Sequence, residues 1–161
     1  MLGKFKKKKK YEICSPIDGK SIELNEVPDK VFPQKLLGIE LGFELVCPFV
    51  CAPCEGEITM IAPTFHAFGI KADNGAEILV QVGLDTVSLN GEGLKTLVKQ
   101  GEKIKKGTKV IEVNIDFLKE KSIALTNPMV ITNESDYKIE SILVNYPVQK
   151  GETNVLSIEK R

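Results

Sequence analysis

Thr64-Phe65-His66-Ala67-Phe68-Gly69-Ile70-Lys71-Ala72-Asp73-Asn74-Gly75-Ala76-Glu77-Ile78-Leu79-Val80-Gln81-Val82 reads as two apolar strands around a tight turn. Asx-Gly between alternating apolar runs is a strong hairpin signal, because the turn needs backbone conformations that Asn and Gly adopt readily. A two-residue loop at Asn74-Gly75 sets residue 68 opposite 81, and one at Asp73-Asn74 sets residue 66 there. Side chains alternate with period 2 along a strand, so either loop places His66 and Gln81 on one face, with Glu77 and Leu79. Ile78, Val80 and Val82 then line the other face, as a core would require. A three-residue loop would break this pairing.

Working outward, the same punctuation recurs. Short apolar runs at Glu12–Cys14, Ser21–Leu24, Gly42–Val46, Glu57–Ile61, Ala67–Lys71, Ala76–Val82, Lys109–Val113, Met129–Thr132, Ser141–Val144 and Val155–Glu159 are predicted strands. Turns are expected at Asp18-Gly19, Glu55-Gly56, Asn74-Gly75, Lys106-Gly107 and Lys150-Gly151. Helix is scarce: a turn or two over Leu94–Lys99, and another over Asp116–Lys121 with Asp116 at the end where the helix dipole favours an anion. Two phrases repeat, Ser15-Pro16-Ile17-Asp18-Gly19 with Ala52-Pro53-Cys54-Glu55-Gly56, and Val98-Lys99-Gln100-Gly101-Glu102 with Val148-Gln149-Lys150-Gly151-Glu152. They suggest two similar β-halves. The expectation is an all-β protein, an antiparallel sandwich or barrel with only short helical turns.

The 161 residues contain 22 basic and 22 acidic side chains, yet the balance is uneven along the chain. Lys4 and Lys6 to Lys10 make the first ten residues a basic tail that lacks the apolar stretch of a signal peptide. Residues 1–10 are read as disordered and residues 11–161 as one mildly acidic domain. The zero net charge of the chain argues against a whole-surface nucleic-acid binder. The tail suits solubilisation, or weak attraction to an anionic membrane surface at about 1 kcal/mol per basic residue. No run approaches the roughly 20 apolar residues of a membrane span, so a cytoplasmic protein with reduced thiols is expected.

Several stretches together resemble the glucose-type IIA phosphocarriers of the bacterial phosphoenolpyruvate-dependent sugar phosphotransferase system. They are Val27-Pro28-Asp29-Lys30-Val31-Phe32, Ala52-Pro53 with Gly56, His66-Ala67-Phe68, Gly83-Leu84-Asp85-Thr86-Val87, Gly91-Glu92-Gly93 and Asn127-Pro128-Met129-Val130-Ile131-Thr132-Asn133. The resemblance runs over nearly all of residues 11–159. It implies a compact antiparallel β-sandwich with a depression on one sheet face, where a phosphoryl group arrives from phosphorylated HPr and leaves for a IIB domain. It implies no cofactor and no metal. In the family pattern Asp29 and Asp85 ring the site, and Val31 and Phe32 form its apolar contact patch; rim charges steer encounter and apolar centres supply burial. Without the resemblance these four read as turn or core residues.

The pattern fails at its centre. The family's phosphoacceptor histidine corresponds to Gln81, its supporting histidine to His66 and a nearby threonine to Thr64. A neutral imidazole offers a basic ring lone pair that can attack phosphorus. The carboxamide nitrogen has its lone pair delocalised into the carbonyl, so Gln81 can hydrogen-bond as imidazole does but is no useful nucleophile. Phosphotransfer through residue 81 is therefore expected to be defective. The resemblance gives His66, the only histidine, the role of orienting phosphoryl oxygens, and geometry suited to that role need not permit in-line attack. Three readings stay open: a defective phosphocarrier, a non-enzymatic docking or regulatory module, or an engineered His-to-Gln variant of an active one.

Cys47, Cys51 and Cys54, with Cys14 upstream, are spaced unlike a zinc knuckle and sit where the family shows no such cluster. Cys14 becomes a fourth candidate ligand only if the two proline-containing repeats pack together. Gly38-Ile39-Glu40 also departs from the family's glycine–aspartate–glycine. The run Gly101-Glu102-Lys103-Ile104-Lys105-Lys106-Gly107 hints at a lipoyl- or biotinyl-carrier domain. Such a domain needs a lysine at a tight hairpin tip, and Asp73-Asn74-Gly75 offers none.

Overall fold

Alternation of buried and exposed positions between glycine turns generates strands along most of the chain. The computed structural model describes residues 10–23 and 39–161. Its strands are β1 (Lys10–Cys14), β2 (Gly19–Ile22), β3 (Ile39–Leu45), β4 (Phe49–Cys51), β5 (Gly56–Ile61), β6 (Ala67–Ala72), β7 (Glu77–Gln81), β8 (Leu94–Thr96), β9 (Lys103–Ile104), β10 (Lys109–Val113), β11 (Thr126–Ile131), β12 (Tyr137–Ile142), β13 (Tyr146–Val148) and β14 (Asn154–Lys160). One short helix, α1 (Ile115–Glu120), follows β10, and Asn114 caps it by accepting a hydrogen bond from the Phe117 N–H at 3.1 Å.

The strands form an eight-stranded sheet, β13-β2-β3-β11-β7-β6-β5-β9, and two three-stranded sheets, β1-β14-β12 and β4-β10-β8. All the pairings are antiparallel. The eight-stranded order is a palindrome about the β11–β7 junction, and the two small sheets are its matching flanks. The Ser15–Gly19 and Ala52–Gly56 phrases lie at equivalent places in the two halves and grip each other, whereas Val148–Glu152 is matched in the other half by residues 104–108 and not by Val98–Glu102. Cys14 N–H donates to the Pro53 carbonyl at 2.9 Å and Cys51 N–H to the Pro16 carbonyl at 2.6 Å. Gly151 N–H likewise donates to Ser15 O at 3.0 Å, and Gly107 N–H to Ala52 O at 2.8 Å. The two β-halves are thus real, and they share one core that includes Phe43, Phe68, Ile58, Ile111 and Met129.

A half-buried ion pair closes one of these turns. Lys150 donates to Asp18 from its backbone N–H at 2.8 Å and from Nζ at 2.9 Å. Burial acts to raise the Asp18 carboxyl pKa, but these bonds and the ammonium charge outweigh it and hold the carboxyl below its usual value.

Two expectations are corrected. The segment predicted to turn helically over Leu94–Lys99 is instead β8, paired with β10, followed by extended chain. Leu94 and Val98 are buried while Lys95, Leu97 and Lys99 are exposed, which is a period of two, not 3.6. The short strands β4, β8, β9 and β13 lie outside the strands that the sequence predicts. Each has only two or three residues, and Pro147 interrupts the ladder donors of β13.

The glycine turns supply a test of how the halves meet. A Cβ on Gly151, whose φ is 71°, would lie 2.7 Å from the Gly107 Cα. A Cβ on Gly101, at φ 90°, would meet nothing within 4 Å. Gly101→Ala is expected to cost about 1 kcal/mol, the left-handed strain alone. Gly151→Ala should cost about 1–2 kcal/mol more, because the backbones must separate. Urea melts of the two variants measure this, and equal losses would contradict the close packing of the turns.

Candidate functional site

The hairpin turn is one residue longer than a two-residue loop. Ala72 N–H donates to Ala76 O at 2.8 Å and Gly75 N–H to Ala72 O at 2.9 Å, with Gly75 at φ 94°. Asp73, Asn74 and Gly75 form a three-residue loop that ends in a left-handed glycine, a common hairpin form. The register follows: Ala67 opposes Gln81, and Phe68 opposes Val80. Phe68, Ile70, Ile78 and Val80 are buried core residues, as expected for one face. Period-2 alternation therefore does not place His66 and Gln81 on a shared face, and that expectation is corrected. They are nonetheless diagonal neighbours, because Val82 N–H donates to the His66 carbonyl at 2.7 Å.

His66 lies just before β6, so strand alternation does not set its direction. The chain reaches it through a turn in which Phe65 N–H donates to Ala62 O at 2.8 Å, with Phe65 in the left-handed region at φ 59°. Bulky side chains rarely adopt that conformation, and such strain gathers at functional sites. The Phe65 ring sits against Gly91, where an added Cβ would touch it at 3.7 Å. His66 is half-buried, and its Nδ1 is hydrogen-bonded to the Thr64 hydroxyl, so Thr64 and His66 form one unit. Partial burial lowers the His66 pKa and favours the neutral ring.

Gln81 ends β7 and is half-exposed. Its Nε2 donates to the Gly83 carbonyl at 3.3 Å. The turn that presents this carbonyl is fastened from several sides. Gly83 has φ 70°, and an added Cβ would lie 2.7 Å from Thr86 Cγ2. Thr86 Oγ1 donates to Val82 O at 2.5 Å. Gly83 N–H donates to the Asn127 Oδ1 at 2.9 Å. Asp85 follows, exposed and left-handed at φ 63°, ahead of the 3-10 turn Thr86–Leu89 on which Val87 is 51% exposed. Asp29, Val31 and Phe32, expected at the contact patch, lie outside the described residues. Asn127 was legible only as part of a motif. A buried carboxamide beside a glycine-led turn has no separate sequence signal.

Gln81 and His66 therefore lie beside each other at one end of the hairpin, next to an exposed acidic and apolar turn. The imidazole is the better nucleophile of the two side chains; the carboxamide is a hydrogen-bonding group only. Cys14, Cys51 and Cys54 belong elsewhere, in the joint between the halves. Cys14 Sγ donates to Pro53 O at 3.1 Å, and all four thiols are free. The proline-containing repeats do pack together, yet among the described residues no three His, Cys, Asp or Glu side chains converge as metal ligands. Burial pushes the Cys51 thiol up to about 11. Burial, with Cys14 and Asp73 nearby, pushes Cys54 up to about 12.

Two measurements follow. In an NMR pH titration His66 should titrate below the ordinary histidine value of about 6.5. The unfolded chain then binds that proton more readily, so this group weakens the fold as pH falls through the unfolded value. A normal or raised midpoint would contradict the burial. With a thiol alkylating reagent under native conditions, Cys47 should react first, while buried Cys14, Cys51 and Cys54 react only on unfolding.

Residues 11–137 match the family described as phosphoenolpyruvate-dependent sugar phosphotransferase system, EIIA 1. A PTS system glucose-specific EIIA component of Staphylococcus aureus strain Mu50 is 36% identical over 159 residues, covering 98% of this chain and 96% of its own. A Staphylococcus epidermidis protein of the same description is also 36% identical with the same coverage. Among solved structures, glucose permease IIA from Mycoplasma capricolum superposes with a TM-score of 0.84 at 33% identity, over 93% of this chain and 96% of that one. With its fold and these relatives in agreement, the chain belongs to the glucose-type EIIA family of the phosphoenolpyruvate-dependent sugar phosphotransferase system.

Proposed function

We propose that this chain is a glucose-type EIIA component that docks its phosphotransfer partners but does not carry the phosphoryl group on residue 81. HPr on one side and a IIB domain on the other are the partners general to the family. The observation that carries the reading is the carboxamide of Gln81, bonded through Nε2 to Gly83 O at 3.3 Å. That contact reproduces one hydrogen bond an imidazole could make there. It supplies no lone pair to attack the phosphorus of a phosphohistidine donor. His66, tied to Thr64 and neutral, is read as the group that would face phosphoryl oxygens.

Exposed Asp85 and Val87 support a docking rim of mixed charge and apolar surface beside the site. Asp29, Val31 and Phe32 are proposed to complete it. Lys4 and Lys6 to Lys9 are proposed as a tail, weakly attracted to anionic membrane, ahead of a single domain; the tail expected over residues 1–10 is one residue too long, because Lys10 already pairs with Glu159 as the first residue of β1. No helix among the described residues is long and apolar enough to cross a membrane. A cytoplasmic location is proposed from the family role.

Incubation with phosphoenolpyruvate, enzyme I and HPr, followed by intact-mass measurement, tests the reading. No acid-labile phosphate adduct should form on the unmodified chain, and Gln81→His should acquire one. A stoichiometric adduct on the unmodified chain would overturn the proposal. Failure of Gln81→His to accept phosphate would show that the rest of the site has diverged.

A further inference from the structure

We propose that Asn127 is a positioning residue for the side chain at position 81, acting through Gly83; this rests on residue 81 being the family's acceptor position. The register explains its reach. Met129 opposes Val80 and Val130 opposes Leu79, so continuing the β11–β7 ladder sets Asn127 opposite Val82. There the side chain is fully buried, and every polar group on it is used. Oδ1 accepts from Gly83 N–H at 2.9 Å, while Nδ2 donates to Phe43 O at 3.1 Å and Leu125 O at 2.9 Å. The two donor bonds anchor the carboxamide to β3 and to the chain entering β11. The acceptor bond fixes the Val82–Gly83 peptide unit, whose carbonyl also accepts from Thr86 Oγ1; the Gly83 carbonyl that Gln81 Nε2 contacts lies across the glycine Cα in the next unit, whose Leu84 N–H donates to Ala124 O at 3.2 Å. Gly83 is thus held at its N–H by one carboxamide and engaged at its C=O by another.

A glycine at φ 70° has no side chain of its own to limit its rotation. Without the Asn127 acceptor, the Gly83 N–H would be buried without that partner, and the Val82–Gly83 peptide could turn to find another, changing the Gly83 φ that sets the direction of the next carbonyl. The group at 81 would then lose a fixed acceptor. Orientation of this kind matters little for docking and greatly for in-line attack, where small misplacements cost large factors in rate.

Asn127→Thr and Asn127→Val form the informative pair. They have nearly the same shape, both lose the bonds to Phe43 and Leu125, and only the threonine keeps an acceptor for Gly83 N–H. NMR on each variant reads the two Gln81 side-chain N–H shifts and the Gly83 amide exchange rate. The valine variant should show Gly83 exchange at least tenfold faster than the threonine variant, with the Gln81 N–H shifts collapsed toward free-amide values. In a Gln81→His background, phosphate acceptance from phosphorylated HPr should be at least tenfold slower with valine than with threonine, at matched melting temperature. Equal exchange, shifts and rates in the pair would overturn the proposal. If Gln81→His alone accepts no phosphate, the rest of the site has diverged, while the exchange and shift data still decide the role of Asn127. If neither variant folds, Gly83 exchange in the unmodified chain decides: strong protection supports the bond, and free exchange overturns it.

Discussion

The antiparallel contact between β7 and β11 is the joint on which the architecture turns. Val80 faces Met129 across it, and both are almost wholly removed from water. On either side the sheet runs outward in the same order, through a long strand, a strand led by glycine and a short edge strand. Each half presents an apolar face that it cannot cover alone. The halves cover each other, and the reciprocal Cys14–Pro53 and Cys51–Pro16 backbone bonds lock the crossing chains at the joint. The burial supplies most of the driving force, and the hydrogen bonds specify which chains cross where, because a buried unpaired peptide group is costly.

The same joint builds the site. β7 ends at Gln81, just past the central pair, and β11 begins just before it, so Asn127 arrives beside Gly83 without any long loop. Backbone strain collects around this point: Phe65, Asp85 and Asn90 all have left-handed φ values, and Gly83, Gly91 and Gly93 share the region. Rigid sheet on three sides can hold such conformations, which a flexible loop could not. The outcome is a preorganised frame that sets the direction of whatever occupies position 81. A carboxamide there keeps the frame's hydrogen bond and lacks the reacting atom.

Much of this was legible before folding, and the exceptions have physical causes. β10 shows its full length in the sequence, since Lys109–Val113 is a β-branched run bounded by a glycine turn and Asn114. β8 hid because Leu94, Val98 and the lysines between them can be read as a helix face or as an alternating strand over so short a span. The hairpin was recognised, but Asn-Gly accommodates both two- and three-residue loops, and one residue of difference exchanges the faces of an entire strand. Thr64 and His66 were grouped by family pattern and are joined by a hydrogen bond. Asn127 carried no chemical signal, since a buried asparagine gains its role only from three partners distant in sequence.

From the amino-acid order alone came the all-β class, the doubled architecture, the family and the replacement of an attacking ring by Gln81. All of these depend on residue type and local spacing, which the chain carries without folding. Tertiary structure alone decided the hairpin register, the pairing of the two halves and the meeting of two carboxamides at Gly83. Those depend on which backbone donors and acceptors from remote segments meet in a common core, and spacing along one strand does not encode that.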